Sequence, residues 1–203
     1  MSQPHPALVA LALCFASMAL LGCGEKMPAY PYAEEPDPRG EEYVIGVADG
    51  LNISVWKNGD LNTQTNVRPD GTITMPLIGD LKAAGMRPSE LKAEVSKRLA
   101  QYLRAEDIIV SVAVSDIRSY FVTVAGNVAQ PGRFTNQSYL TVLDAMALAG
   151  GPNRFADASD TVILRKQRDG SVKRIPINYE ILKKGRGLEM NLVLLRGDQV
   201  FVP

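Results

Sequence analysis

The 203-residue chain has one histidine, His5, and two cysteines, Cys14 and Cys23, all within its first 23 positions. Everything after Cys23 therefore lacks imidazole and thiol. Ser-His-Asp and Cys-His catalysis have no base there, zinc lacks its usual ligands, and no disulfide can form in that stretch. An enzyme made from what remains would need paired carboxylates, a Ser-Lys dyad or a hard metal, and the expectation is a non-enzyme with no cofactor and no metal. Charge of one sign is missing too: 22 basic residues balance 22 acidic ones, so net charge names no polyanionic partner. The long apolar run is Ala7 to Leu21. At about 15 residues it is short for a transmembrane helix, which needs about 20, and suits the apolar core of a secretory signal.

That run ends in Leu20-Leu21-Gly22-Cys23, which resembles the lipobox of bacterial lipoproteins. The resemblance implies a signal peptide over residues 1–22 and a lipid on Cys23, which becomes the acylated N-terminus; the plainer reading is an ordinary signal peptide or an N-terminal membrane anchor. Gly24 stands where an Asp would favour inner-membrane retention, so the expected destination is the outer membrane, facing the periplasm. Residues 23–42 carry four prolines and six acids. Prolines fix φ and like charges repel, so this stretch reads as an extended tether.

From Tyr43 the pattern becomes one of short alternating runs. Leu51, Ile53 and Val55 share a strand face, with Trp56 closing the run. Pro69-Asp70-Gly71 within Val67–Asp80 predicts a hairpin. Pro88 can start a helix whose stripe of Leu91, Val95, Leu99, Tyr102 and Leu103 predicts an end near Leu103, and Ile108 to Ser115 alternates as a strand. A second unit begins near Ser119. Tyr120–Gly126 is β-prone, Gln130-Pro131-Gly132 is a turn, and Thr141–Ala149 is a short helix stopped by Gly150-Gly151-Pro152. Thr161–Lys166 and Val172–Ile177 flank a turn at Arg168-Asp169-Gly170-Ser171, and Leu192–Leu195 and Gln199–Val202 supply the last strands. The order fits an α+β class: a small first domain over 43–118 and a β-grasp-type domain over 119–203.

Residues 119–203 hold eleven bases and seven acids. Arg165, Lys166, Arg168, Lys173 and Arg174 concentrate on the hairpin and are the candidate contacts to an acidic glycan or a neighbouring subunit; a solvated hairpin face is the plainer reading. Ser89-Glu90-Leu91-Lys92 fits the S-x-x-K nucleophile motif, but no Lys-Thr-Gly or Ser-Asp-Asn follows it, and it reads as a polar helix start. Glu34/Glu35, Glu41/Glu42 and Asp157/Asp160 are carboxylate pairs without the fixed separation that glycoside cleavage needs. Asp49, Asp70, Asp80, Asp169 and Asp198 sit beside glycine or at turns, where bonding to local backbone is the default.

The stretch Tyr43-Val44-Ile45-Gly46-Val47-Ala48-Asp49-Gly50-Leu51-Asn52-Ile53-Ser54-Val55-Trp56 resembles the Y-x-I-G-P-G-D-x-L-x-I-x-V-W opening of the polysaccharide biosynthesis/export lipoproteins. Val67–Asp80 is similar to that family's V-R-P-D-G block. Val124–Val128, Pro131-Gly132, Leu143-Asp144-Ala145, Ala149-Gly150-Gly151 and Gly197–Pro203 are similar to its soluble-ligand-binding β-grasp (SLBB) module. Val47 and Ala48 replace the usual Pro and Gly, and one β-grasp module is present. The resemblance implies a ring-forming homo-oligomer that conducts capsule or exopolysaccharide through the periplasm, with the polysaccharide and an inner-membrane co-polymerase as partners. The sequence stops at Pro203, where the best-known exporters continue into a membrane-crossing helix, so a separate outer-membrane β-barrel is expected to complete the path. The alternative is an outer-membrane lipoprotein that binds a glycan or small ligand and forms no conduit. No nucleic acid is expected, because no aromatic ladder is interleaved with the basic residues.

Overall fold

The computed structural model describes residues 27–203; the expected signal peptide and Cys23 lie outside the described residues. The class is α+β, with two hydrophobic cores that divide the chain near residue 118.

In the first unit, β1 (Gly50–Val55) buries Leu51, Ile53 and Val55 and exposes Asn52 and Ser54, as its alternation requires. It lies between β2 (Thr63–Asn66) and β5 (Val110–Asp116) in an antiparallel sheet. A second ladder, β3 (Thr72–Met75) with β4 (Gly79–Lys82), adds Ile73, Met75 and Leu81 to the same core. Pro69-Asp70-Gly71 was expected to close that hairpin and instead precedes it. Gly71, at φ +79°, ends a turn in which its N–H donates to the Arg68 carbonyl at 2.8 Å. The strands reverse at Pro76–Ile78, where Leu77 takes φ +65°. This placement keeps Met75 and Leu81 both inward.

Helix α1 (Pro88–Leu99) turns its Leu91, Val95 and Leu99 stripe fully into the core. Proline occupies its first position, where the missing N–H costs nothing. Glu90 accepts from the Arg87 N–H at 2.8 Å, and Glu42 accepts from the Ser89 N–H at 2.8 Å and its hydroxyl at 2.5 Å. Two carboxylates thus satisfy the helix start and complement its dipole. The helix ends at Leu99 and not near Leu103, because the chain tightens into a Tyr102 N–H to Leu99 C=O bond that leaves Tyr102 57% exposed.

The second unit is a five-stranded sheet in the order β7 (Gly132–Thr135), β6 (Phe121–Gly126), β10 (Gln199–Val202), β8 (Thr161–Lys166) and β9 (Val172–Ile177). Strand β10 runs parallel to β6 and antiparallel to β8. Helix α2 (Val142–Leu148) covers this sheet from a Thr141–Asp144 capping box, and α3 (Tyr179–Leu182) follows β9. At the end of β6, Gly126 has φ +91°, and a Cβ there would strike the Val202 carbonyl oxygen, so glycine is required. Leu192–Leu195 is not the expected strand. Its backbone bonds instead to loops and side chains: Leu194 N–H to the Leu140 carbonyl at 2.8 Å, and the Tyr120 hydroxyl to the Leu194 carbonyl at 3.0 Å.

The expected tether also differs. From Tyr30 onward it is a docked strap. Tyr32 is 5% exposed, belongs to the core of the second unit and donates its hydroxyl to the Pro176 carbonyl at 2.6 Å. Burial pushes its pKa up to about 12, so it stays a donor. The strap then crosses to the first unit, where Glu42 caps α1 and Glu41 pairs with Arg87 at 3.2 Å. A composition typical of linkers is overridden by a few specific anchors.

Candidate functional site

Two aspartates, each in a Gly-Asp or Asp-Gly pair, organise the contacts between these parts. Asp49 is fully buried and accepts five hydrogen bonds. Oδ2 takes the Gly46 N–H at 2.7 Å, the Tyr43 hydroxyl at 2.7 Å and the Ser119 hydroxyl at 2.8 Å. Oδ1 takes the N–H groups of Arg118 at 2.9 Å and Ser119 at 2.7 Å. One carboxylate therefore ties the entry to β1 to the entry to the second unit. Local backbone bonding was expected for Asp49 and is present at Gly46, but the stronger role spans 70 positions. Burial first, and donation to Asp49, push the Tyr43 pKa up to about 12. Gly46 has no room for a side chain, since a Cβ would meet Ser119 Oγ and the Arg196 guanidinium. Arg196 closes the junction by donating to the Val44 carbonyl at 2.6 Å and the Tyr43 hydroxyl at 3.1 Å.

The second cluster is built on β8 and β9. Arg165 shares the inward register with Thr161 and Ile163, and its directly opposed neighbour on β9 is Lys173. Two like charges directly opposite each other, one of them buried, need counter-ions. Asp198 supplies one, receiving Arg165 Nη2 at 2.6 Å and Nε at 3.0 Å, and taking the Leu195 N–H at 2.8 Å. Glu35 of the strap supplies the other, receiving Arg165 Nη1 at 2.8 Å and Lys173 Nζ at 2.5 Å, with a hydrogen bond from the Tyr30 hydroxyl. The side chains of Arg165, Asp198 and Glu35 are 5%, 2% and 3% exposed.

Arg165 was expected to be a surface contact and is corrected to an internal clasp: its guanidinium is consumed by two carboxylates and the Val193 carbonyl. Lys173 is half spent on Glu35. Lys166 and Arg168 are exposed and line a cleft of about 450 Å³ together with Glu35, Arg165, Lys173, Arg196 and Asp198. Arg174 is exposed on β9 and lies outside that cleft. Cys23 is outside the described residues. The register of β8 could have revealed that Arg165 points inward; nothing in the sequence pairs Glu35 with residues 130 and 138 positions away.

The hydroxyl of Ser89 is held by Glu42, and Asp157 caps its own turn by accepting from Ser159 N–H and Oγ, so neither stands as a prepared nucleophile or acid. Asp70 and Asp169 accept from the N–H two residues on, at Thr72 and Ser171, both at 2.9 Å. Among the described residues no group of three or more His, Cys, Asp or Glu could hold a metal, and no helix is long and apolar enough to cross a membrane.

The strap carries a pH signature. Burial pushes the Glu35 carboxyl up, but hydrogen bonds from Lys173 and Tyr30 outweigh it and hold its pKa below the ordinary glutamate value of 4.5. A depressed acid pKa stabilises docking fully above the ordinary value and loses that contribution as pH falls through the depressed one. Glu35→Gln is expected to speed amide hydrogen exchange across residues 30–36 at pH 7, and acidification through the depressed Glu35 pKa, below the ordinary value of 4.5, to do the same in the parent. Equal protection in parent and variant at pH 7 would show that Tyr32 alone holds the strap.

Residues 37–115 match the family model described as polysaccharide biosynthesis/export protein, and residues 121–177 match the SLBB domain. Together the two cover about two thirds of the chain. The exopolysaccharide production protein ExoF of Rhizobium meliloti is 29% identical over 152 residues, which are 70% of this chain and 34% of its own. The EPS I polysaccharide export outer membrane protein EpsA of Ralstonia nicotianae is 29% identical over 182 residues, 78% of this chain and 46% of its own. The capsule polysaccharide export outer membrane protein CtrA of Neisseria meningitidis is 28% identical over 177 residues, 77% of this chain and 43% of its own. The chain thus spans less than half the length of these relatives.

Proposed function

The chain belongs to the polysaccharide biosynthesis/export protein family, whose members are export proteins and not enzymes, and on that premise we propose that it is a lipid-anchored periplasmic component of a capsule or exopolysaccharide export machine. Copies of it assemble head to tail into a ring, since heterologous contacts close when the rotation permits. The polymer passes along this ring from an inner-membrane co-polymerase towards a separate outer-membrane β-barrel. Cys23 carries the lipid and fixes the subunit to the outer membrane, facing the periplasm.

The observation that carries the reading is the coincidence of family motif and architecture. The Tyr43–Trp56 motif supplies both β1 and the Asp49 fixture that joins it to the SLBB unit. A subunit built to stack in tiers needs its tiers held together, and a buried carboxylate with five donors does that. The docked strap adds that any pull on the anchor reaches the second unit first, through Tyr32 and Glu35.

Complementation of a deletion strain tests the anchor and the role together. Full-length protein is expected to restore surface polymer, and Cys23→Ser to leave the protein in the soluble periplasmic fraction with export reduced. Membrane retention of Cys23→Ser would sink the lipid assignment. Restored export without any oligomer in cross-linked cells would favour the binding-protein alternative.

A further inference from the structure

The cleft beside the β8–β9 hairpin holds five cations, Arg165, Lys166, Arg168, Lys173 and Arg196, against two carboxylates, Glu35 and Asp198. The balance is uneven in space as well as in number. Both carboxylates are spent on Arg165 and Lys173. Lys166 and Arg168 make no ion pair among the described residues, and Arg196 bonds only neutral oxygens, those of Val44 and Tyr43. Three uncompensated cations therefore face one concavity of about 450 Å³, within the range of about 300–1,000 Å³ typical of small-ligand sites. Clefts lined by one sign of charge concentrate counter-ions.

The chain itself shows what this cleft accepts. The Glu35 carboxylate arrives from 130 positions away and is received by Arg165 and Lys173 at 2.8 and 2.5 Å. A carboxylate is thus already bound within the lining, by Arg165 and Lys173, while Lys166, Arg168 and Arg196 pair with none. The rest of the lining suits a sugar: Gln167 offers an amide for hydroxyls, and Pro36 and Leu195 offer apolar surface for the C–H face of a pyranose.

We propose that this cleft binds a carboxylate-bearing sugar unit, a uronic acid or similar sugar acid, through Lys166, Arg168 and Arg196. Assigning that sugar to the transported polymer rests on the export reading; the preference for a sugar carboxylate does not. The site explains why the hairpin tip keeps its cations exposed when Arg165 and Lys173, one step inward, are neutralised.

The test is calorimetric titration of the full chain with trigalacturonate, with its methyl ester and with inorganic phosphate, at low and moderate salt. Trigalacturonate is expected to bind, to weaken with added salt, and to weaken by about tenfold or more in Lys166→Ala/Arg168→Ala, since charge-assisted hydrogen bonds are the strong ones. Lys92→Ala, on α1, is expected to leave binding unchanged. Equal binding of acid and ester, phosphate binding as tight as the sugar acid, or insensitivity to the double substitution would each overturn the proposal. Loss of export on deletion, with no binding of the sugar acid, would remove this site and leave the export role standing.

Discussion

Asp49→Ala is expected to destabilise the protein by about 4 kcal/mol, because each buried donor left without its acceptor costs about 1–3 kcal/mol. The substitution strands the N–H groups of Gly46 and Ser119, both buried, and the partly buried N–H of Arg118. The consequence reaches beyond stability. With the carboxylate gone, the side-chain bonds left at the junction are partly exposed ones, those of Arg196 to Val44 and Tyr43, of Tyr43 to Ser119 and of Gln137 to Asp116 and Ile117, so the two cores are expected to unfold in separate steps. Chemical denaturation followed at Trp56, in the first unit, and by hydrogen exchange of β6 and β10, in the second, measures both effects. Asp49→Asn keeps the shape but turns an N–H₂ towards donors, and is expected to fall between parent and alanine. A loss under about 1 kcal/mol with one coincident transition would mean that Asp49 is not the fixture.

Arg165→Ala is expected to cost about 3–5 kcal/mol, since removing one partner of a buried pair leaves uncompensated charge. Here it leaves Asp198 with no cation and Glu35 with Lys173 alone. Repulsion between the two carboxylates is expected to loosen the strap at Glu35, while Tyr32 and Lys173 still hold it. Relief of the buried charge gives the control: Arg165→Met with Asp198→Asn and Glu35→Gln is expected to recover most of the loss, as apolar or neutral replacements of whole ion networks often do. Urea denaturation of the single and triple variants checks this. If the triple variant is no more stable than Arg165→Ala, burial of charge is not the source of the cost.

How much of this was legible beforehand depends on where each residue's partners lie. Strand β1, helix α1 and the β8–β9 hairpin carry their own periodicity, so Leu51-Ile53-Val55 and Leu91-Val95-Leu99 declared their faces. Strand β2 did not: Thr63-Gln64-Thr65-Asn66 is polar throughout because it is an edge strand, held by backbone pairing with β1 and not by an apolar face. Leu192–Leu195 failed in the opposite sense, being apolar, with Val193 and Leu194 buried, yet paired with loops. The strap was the largest miss. Its prolines and acids have the composition of a linker, and only the partners of Tyr32 and Glu35, more than 100 positions later, make it structure. At the site, their places beside glycine pointed to Asp49 and Asp198 as turn residues; their long-range roles depend on Ser119 and Arg165, which no local pattern joins to them.

The most direct measurement is the location of polymer in cells lacking this chain. Capsule or exopolysaccharide is quantified at the surface and inside the envelope of the deletion strain and its parent. The account predicts that surface polymer disappears while polymer within the cell persists or accumulates; unchanged surface polymer in the deletion strain would contradict it.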